Sequence, residues 1–433
     1  FIANEYLLQS KGYAVTKAPS IGYLRQADEL ATSEYLGRIM WWQSYDYSYM
    51  RLNFDEAYAR ERGFTDLALA QRAFGINPDQ RISDLLRTQG FEEDGVHRFD
   101  TRQEFTAMHD VGPVRVEPFV VGRMTSYDDS FETYSPAETN RTRLWGSAGV
   151  RANTQIQRID DSVESRFFDL HRMRHIVEPG ITAWQAGTTV QRADLPVYDD
   201  AVENIAEGGM VRLGVDQTWQ TERGSREAGK FHTVDVFKLN TDFVFASGDT
   251  DPKTPFGRWL DFRPELSNPG NFFNAEGQWQ VSSALAITGG TTYDLDLSQQ
   301  ARSSAGFIIE HAPGFRSFAE TRYLNPLDST FLDLGASYDL TRKYSVAGLA
   351  SYDLANGGWQ GAGGELRRQF SAFVLGLNLG YNNVTDESSF GVLIRPTPVA
   401  RKQRLRIFSD EPEPGQVIST GAGDSPFAAG AWR

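Results

Sequence analysis

Apolar and polar residues alternate with a period of two through most of the stretch from about Gly209 to Pro396. That spacing puts apolar side chains on one face of an extended strand and polar ones on the other. From Phe370 to Asn382, Phe373, Leu375, Leu377, Leu379 and Tyr381 share one parity, while Val374, Gly376, Asn378 and Gly380 take the other. Between Gln278 and Leu297, the apolar parity holds Trp279, Val281, Leu285, Ile287, Tyr293, Leu295 and Leu297. Gln278, Gln280, Ser282, Asp294 and Asp296 oppose them. Val211, Leu213, Val215 and Trp219 stand against Arg212, Gly214, Asp216, Thr218 and Gln220. Leu332, Leu334, Ala336, Tyr338 and Leu340 stand against Asp333, Gly335, Ser337 and Asp339. These segments are predicted strands. Their runs of about 9–14 residues match a tilted strand crossing a bilayer, against about 5–6 in an ordinary globular sheet.

Turn residues punctuate the pattern at Asn325–Asp328, Asp339–Lys343, Ala355–Gly358 and Asn382–Asp386. Counting from Tyr35 to Arg395 gives roughly 16–18 strands, in the range of outer-membrane barrels. Aromatic residues gather near expected strand ends, as in Trp41, Trp42, Tyr45, Tyr47 and Tyr49, or Tyr338, Tyr344 and Tyr352. One stretch has helical spacing. Thr65 is placed to cap Asp66 to Phe74, and Asn77-Pro78 to open a second helical set with Ile82, Leu85 and Leu86. No helix fits among lipid-facing strands, so the region near 65–91 is expected outside the membrane or in the lumen. The fold class is therefore an all-β, transmembrane antiparallel β-barrel over residues 1–396 with a short helical loop insertion. A Pro/Gly-rich peripheral tail follows at 397–433.

Composition agrees with this and removes other classes. The 433 residues are 40% hydrophobic and 12% aromatic, and mean hydropathy is −0.44. No run of 18 or more apolar residues exists, which excludes a helical membrane protein. A barrel hides its membrane signal from such averages because its two faces alternate. With no Cys there are no disulfides or thiolate metal sites. A net charge of −14 argues against nucleic acid as a partner. The chain begins at Phe1, which fits a removed signal peptide and a fragment alike.

Candidate chemistry is sparse. In Arg174-His-Ile-Val-Glu-Pro-Gly180, strand parity puts Arg172, Arg174 and Glu178 on one face and Met173, His175, Val177, Pro179 and Ile181 on the other. Pro179 removes a ladder donor and marks a weak or bulged place. Arg172, Arg174, Glu178, Asp216, Asp294, Asp296 and Asn378 are the lumen-facing polar candidates. His171 and His175 lie about 13 Å apart on a strand, too far to share an ion. The pairs Asp160-Asp161, Asp199-Asp200 and Asp294/Asp296 read as loop or lumen charges, and Asp249-Thr-Asp251 as turn chemistry with a weaker cation-site reading. Gly361-Ala-Gly-Gly364 lacks the strand-turn-helix context of a phosphate loop and reads as a flat strand with close backbone approach. No catalytic residue, metal site or cofactor is expected.

Several stretches, in order, resemble the barrel region of the LptD (OstA) family of lipopolysaccharide-assembly proteins. They are Arg98-Phe-Asp-Thr-Arg-Gln-Glu-Phe105 with Asp110 to Phe119 and Gly122 to Tyr127, the segment Arg174 to Gly180, Val211 to Thr221, and Tyr338-Asp-Leu-Thr-Arg-Lys-Tyr344. Ser389-Phe-Gly-Val-Leu-Ile394 is similar to the last-strand signal of outer-membrane barrels. The resemblance implies a barrel in the cell outer membrane that carries lipopolysaccharide to the outer leaflet. It also implies an LptE-like plug lipoprotein, an LptA-like periplasmic bridge and contact with outer-membrane lipid. Acyl chains would leave sideways through a seam between first and last strands, with Pro19, Pro113, Pro118 and Pro179 as candidates for weakening it. The family's periplasmic jelly roll has no counterpart here. Competing readings are a generic outer-membrane porin and a secreted β-rich carbohydrate-binding protein or enzyme.

Overall fold

The computed structural model describes residues 13–54, 56–62, 64–88, 90, 92–128, 140–191, 195, 198–199, 201–205, 207–224, 232–247, 261–267, 270–325, 328–355, 357–383 and 387–396. Eighteen strands form a single sheet. The first nine are β1 (Tyr13–Ser33), β2 (Gly37–Phe54), β3 (Gly95–Val111), β4 (Val114–Tyr127), β5 (Thr142–Thr154), β6 (Ile156–Ser165), β7 (Leu170–Thr188), β8 (Gly208–Arg223) and β9 (His232–Ser247). The remainder are β10 (Phe272–Gln280), β11 (Leu285–Asp294), β12 (Gln299–Ala312), β13 (Phe315–Leu324), β14 (Ser329–Asp339), β15 (Tyr344–Asp353), β16 (Gly358–Gln369), β17 (Phe373–Asn382) and β18 (Glu387–Pro396). Except for β5 and β6, each pairs antiparallel with the next, as in β2 with β3 and β17 with β18. This is one sheet and not two stacked ones, which removes the sandwich expected of a soluble β-protein.

β5 and β6 are one strand broken at Gln155, since both pair with β7. The break faces Pro179. The β7 ladder runs to Gly180 against β5 and resumes at Val177 against β6, because proline offers no N–H there. Beyond the break, β6 pairs with β7 alone among the described residues. Counting β5 and β6 as one leaves seventeen crossing segments, so β1 and β18 run in the same direction. Among the described residues β1 pairs only with β2, and β18 only with β17. An antiparallel closure between edges that run the same way takes an odd number of further strands.

One end of the sheet carries tight connections such as 112–113 and 313–314. The other carries 55–94, 128–141, 189–207 and 248–271. In outer-membrane barrels the short turns face the periplasm and the long loops face outward. The 55–94 connection holds α1 (Leu67–Phe74) and α2 (Ile82–Thr88). The residue that caps α1 is Asp66, whose Oδ1 accepts the Ala68 N–H at 2.8 Å, and not Thr65. Ala59, Phe64, Ala70, Ile76 and Ile82 bury a small core of their own. The 397–433 tail and Asp249-Thr-Asp251 lie outside the described residues.

The alternation read from the sequence is the alternation of the sheet. Val211, Leu213, Ile287, Leu334, Tyr338 and Leu377 are exposed on the outer face, while Asp333 is buried inside. Trp41, Tyr45, Tyr47 and Tyr49 face outward along β2, with Trp41 stacked on Phe105 at 5.8 Å. Trp42 departs from the expected aromatic belt. It has the opposite parity and is paired with Glu104. In the β16 glycine run the close backbone approach falls at Gly361, where a Cβ would stand 2.8 Å from the Tyr381 carbonyl oxygen.

Leu377 lies outward and half-exposed at 37%, and Asn378 lies on the lumen face opposite Glu365. Leu377→Arg is expected to cost about 2–4 kcal/mol at mid-bilayer, and Asn378→Arg to be tolerated. Unfolding titrations of both variants in lipid vesicles check this; equal damage from the two would contradict the assigned faces.

Candidate functional site

Strand parity places Arg98, Asp100, Arg102 and Glu104 on the inner face of β3, Arg123 and Thr125 on that of β4, and Arg143 and Arg151 on that of β5. Register then sets Arg102 directly across from Arg123. Like charges facing across strands are unfavourable, and burial raises the cost. This arginine wall therefore needs anions, and two connections supply them by folding inward.

The β7–β8 connection reaches the upper part of the wall. Arg98 is 1% exposed and Glu203 is fully buried; Arg98 Nη1 donates to Glu203 Oε1 at 2.7 Å. Tyr127 Oη donates to the same carboxylate at 2.8 Å, and the Asp199 N–H donates to its other oxygen at 2.7 Å. Asp199 pairs with Lys17 of β1 and, at 3.4 Å, with Arg98. Arg143 Nη1 donates to the Glu203 carbonyl at 2.7 Å, and Arg123 Nη1 to the Ala201 carbonyl at 2.7 Å. Arg123 also grips Asp100 through Nε at 2.9 Å and Nη2 at 3.0 Å, a bidentate arrangement suited to guanidinium.

The β9–β10 connection reaches the lower part. Glu265, 1% exposed, pairs with Arg102, which also donates to Glu104 at 2.7 Å. Arg151 Nη2 donates to the Phe262 carbonyl at 2.8 Å, and its guanidinium lies between the Phe119 and Phe262 rings at 4.0 and 3.9 Å. Apolar contacts fasten both loops. Ile205 packs with Phe119, Val121, Trp145, Trp184 and Met210, while Leu195 and Tyr198 pack with Met50, Leu52 and Val96.

Burial alone would raise the Asp199 pKa, but Lys17 and Arg98 overcome it and bring it down to about 2. Glu265 is lowered too, against its burial, by Arg102. Both loop carboxylates are thus ionised at neutral pH.

The polar candidates read from the sequence lie elsewhere. Glu178 and Asp216 face each other across β7 and β8, and Glu178 accepts from Gln155 at 3.2 Å. Arg174 donates to Gln157 at 2.9 Å. Asp294 is buried and caps a turn, accepting from the Asp296 and Leu297 N–H groups at 2.9 and 3.0 Å. Asp296 is not on a strand face. It sits in the β11–β12 turn and accepts from Asn271 Nδ2 at 2.6 Å. Arg172 leaves the alternation through a left-handed backbone, φ 58°, and pairs with Asp161 at 2.9 Å. Of the prolines, Pro19 lies on the edge strand β1, in the unpaired step between Lys17 and Ser20. Pro113 is in the β3–β4 turn, while Pro118 and Pro179 are on the interior strands β4 and β7. Glu203 and Glu265 were not singled out in the sequence, and Asp199 read as one of several ordinary acidic pairs. The signal available was the run Arg98, Asp100, Arg102, Glu104, whose single parity announces an inward row of charge.

No protein-family model matches the chain, and no curated protein does. Among solved structures it is similar to a mutant of Rh. blastica porin, at 10% identity over 70% of this chain and 91% of that one, with TM-score 0.35. A triple mutant of Rhodopseudomonas blastica porin gives 9% identity over 67% and 93%, with TM-score 0.24. The FpvAI–pyocin S2 complex gives 8% identity over 82% of this chain and 53% of that one, with TM-score 0.35. The chain's own sheet, with long antiparallel strands, an apolar outer face and a charged inner one, is that of an outer-membrane β-barrel.

Glu203→Gln removes the nearest of the three carboxylates around buried Arg98, leaving Asp199 and Asp46 at 3.4 and 3.6 Å, and is expected to cost about 3–5 kcal/mol, read as a lower unfolding midpoint in detergent. For Asp199, the depressed pKa means stabilisation that is complete above the ordinary aspartate value and disappears as pH falls through about 2. The Lys17–Asp199 latch should therefore hold at pH 5, and protease protection of the loop should be lost only in stronger acid. Asp199→Asn should remove that acid step.

Proposed function

We propose that this barrel delivers lipopolysaccharide to the outer leaflet. What supports the reading is an interior occupied along one wall by the chain's own loops, together with a strand, β1, whose ladder to β2 slips at Pro19. An amphiphile with a bulky sugar head and several acyl chains needs a hydrated path for the head and a sideways exit for the chains. A filled wall beside a wider remainder suits the first. A weakly paired edge suits the second, and Pro19 on β1 deletes one ladder donor there. In this reading an LptE-like lipoprotein occupies the remaining lumen and an LptA-like periplasmic bridge feeds it.

A porin is the second reading, favoured by one observation. The inner face of β14 to β17 carries small or polar residues such as Ser337, Gly363, Gly380 and Asn378, which leave room for water. Planar-bilayer recording separates the two. The transport reading expects a small, unsteady conductance without a plug lipoprotein and loss of surface lipopolysaccharide in cells depleted of the protein. A steady, large conductance with normal surface lipopolysaccharide would establish the porin instead.

A further inference from the structure

Three observations at the arginine wall are left over once the fold has been accounted for. The wall's inner face holds five guanidinium groups on three adjacent strands, two of them directly opposed. The anions that balance Arg98 and Arg102 come partly from loops distant in the chain, at separations of 105 and 163 residues. Even with those loops in place, buried donors stay unused. Arg98 Nε, Arg143 Nη2 and Arg151 Nη1 have no hydrogen-bond partner among the described residues, and neither has Ser147 Oγ on the same face of β5. Arg98 and Arg143 are 1% and 2% exposed. A purely structural charge network satisfies its donors, because an unmet buried one is costly.

We propose that the inner face of β3–β5 is a binding site for phosphate-bearing anions, closed in this conformation by Glu203 and Glu265, whose carboxylates stand where phosphate oxygens bind. The chemistry favours phosphate. Guanidinium forks take two oxygens of one phosphate in a bidentate grip, and phosphate has oxygens to spare for donors that a carboxylate leaves unmet. Arg102 and Arg123 stand directly opposite on neighbouring strands, Arg102 holding Glu265 and Arg123 the Ala201 carbonyl, so a single phosphate group could draw on both forks once the loops leave. Arg98 lies about 13 Å along the strand from Arg102, which suits a ligand with more than one phosphate. The loop carbonyls of Ala201, Glu203 and Phe262 serve as further placeholders for ligand oxygens. A ligand that takes the forks releases the loops, so binding and opening are a single event.

This inference deepens the transport reading by naming the part of the cargo the lumen holds, and it rests on that reading for the cargo. The test uses the full chain in detergent micelles with inorganic pyrophosphate as the probe, followed by titration calorimetry. Glu203→Gln combined with Glu265→Gln should bind pyrophosphate at least tenfold more tightly than the unaltered protein, and adding Arg102→Gln should abolish the gain. Should the double variant fail to fold, hydrogen exchange in the unaltered protein supplies the second measurement. Saturating pyrophosphate should speed exchange of the amides at 199 and 201–205, and equal ionic strength of sodium chloride should not. Competition by micelles of a phosphorylated glycolipid, absent with its dephosphorylated form, would assign the site to a lipid headgroup. Pyrophosphate binding without that competition would assign it to a soluble phosphate. Unchanged pyrophosphate affinity in a folded double variant, or unchanged loop exchange in the unaltered protein, overturns the proposal. A tenfold gain without any lipopolysaccharide delivery would sink the transport reading and leave the site standing; delivery without the gain would do the reverse.

Discussion

Guanidinium groups packed together out of water must be given counter-charge, and much else in this molecule follows from that. With Arg102 opposite Arg123 and Arg98 and Arg143 near them, the inner face of β3–β5 cannot stand alone. Asp100 and Glu104 neutralise part of it from within the strands. The rest arrives by loop, which is why two connections turn inward to the wall. Once there, they gain apolar contacts through Ile205, Leu195 and Tyr198. Charge sets where the loops go, and burial of these side chains then adds to their hold. Removing one partner strands the other in a place where water cannot reach it.

The opposite wall shows the same requirement met differently. Arg322 and Asp333 pair at 2.7 Å across neighbouring strands, and Ser329 donates to Asp353 at 2.8 Å. Here charge is balanced within the sheet itself, so no distant segment is needed. The inner residues beyond are small or polar, as at Ser337, Gly363 and Gly380, and Asn378 is exposed. The interior is therefore lopsided, packed with protein along β3–β5 and roomier along β14–β17. The two walls thus present quite different surfaces to the lumen.

What the sequence made legible was what depends on neighbours two residues apart. The parity of Leu375, Leu377 and Leu379, or of Leu334 and Tyr338, needs no knowledge of distant partners, and the strands follow it. Pro179 gave notice of the break at Gln155 because a missing donor is a local fact. Asp296 falls off the strand face because parity carries a residue onto a face only while the strand continues, and β11 ends at Asp294. The wall's partners were beyond reach altogether. Nothing near Glu203 or Glu265 in the chain distinguishes them from the other carboxylates, since their meaning comes from arginines more than a hundred residues away.

β6 continues past Val114, the first residue of β4, and keeps one side of its backbone without a neighbour among the described residues. On the reading that short turns face the periplasm, this row of open amides and carbonyls stands in water, where it would template the stacking of one chain on another. Its sequence opposes that outcome. Arg158, Asp160, Asp161 and Glu164 crowd ten residues, and the ladder slips between Asp160 and Glu164. A second identical edge would meet its acidic cluster with another and a kink with a kink. The charges along this border therefore work against the stacking of one chain on another.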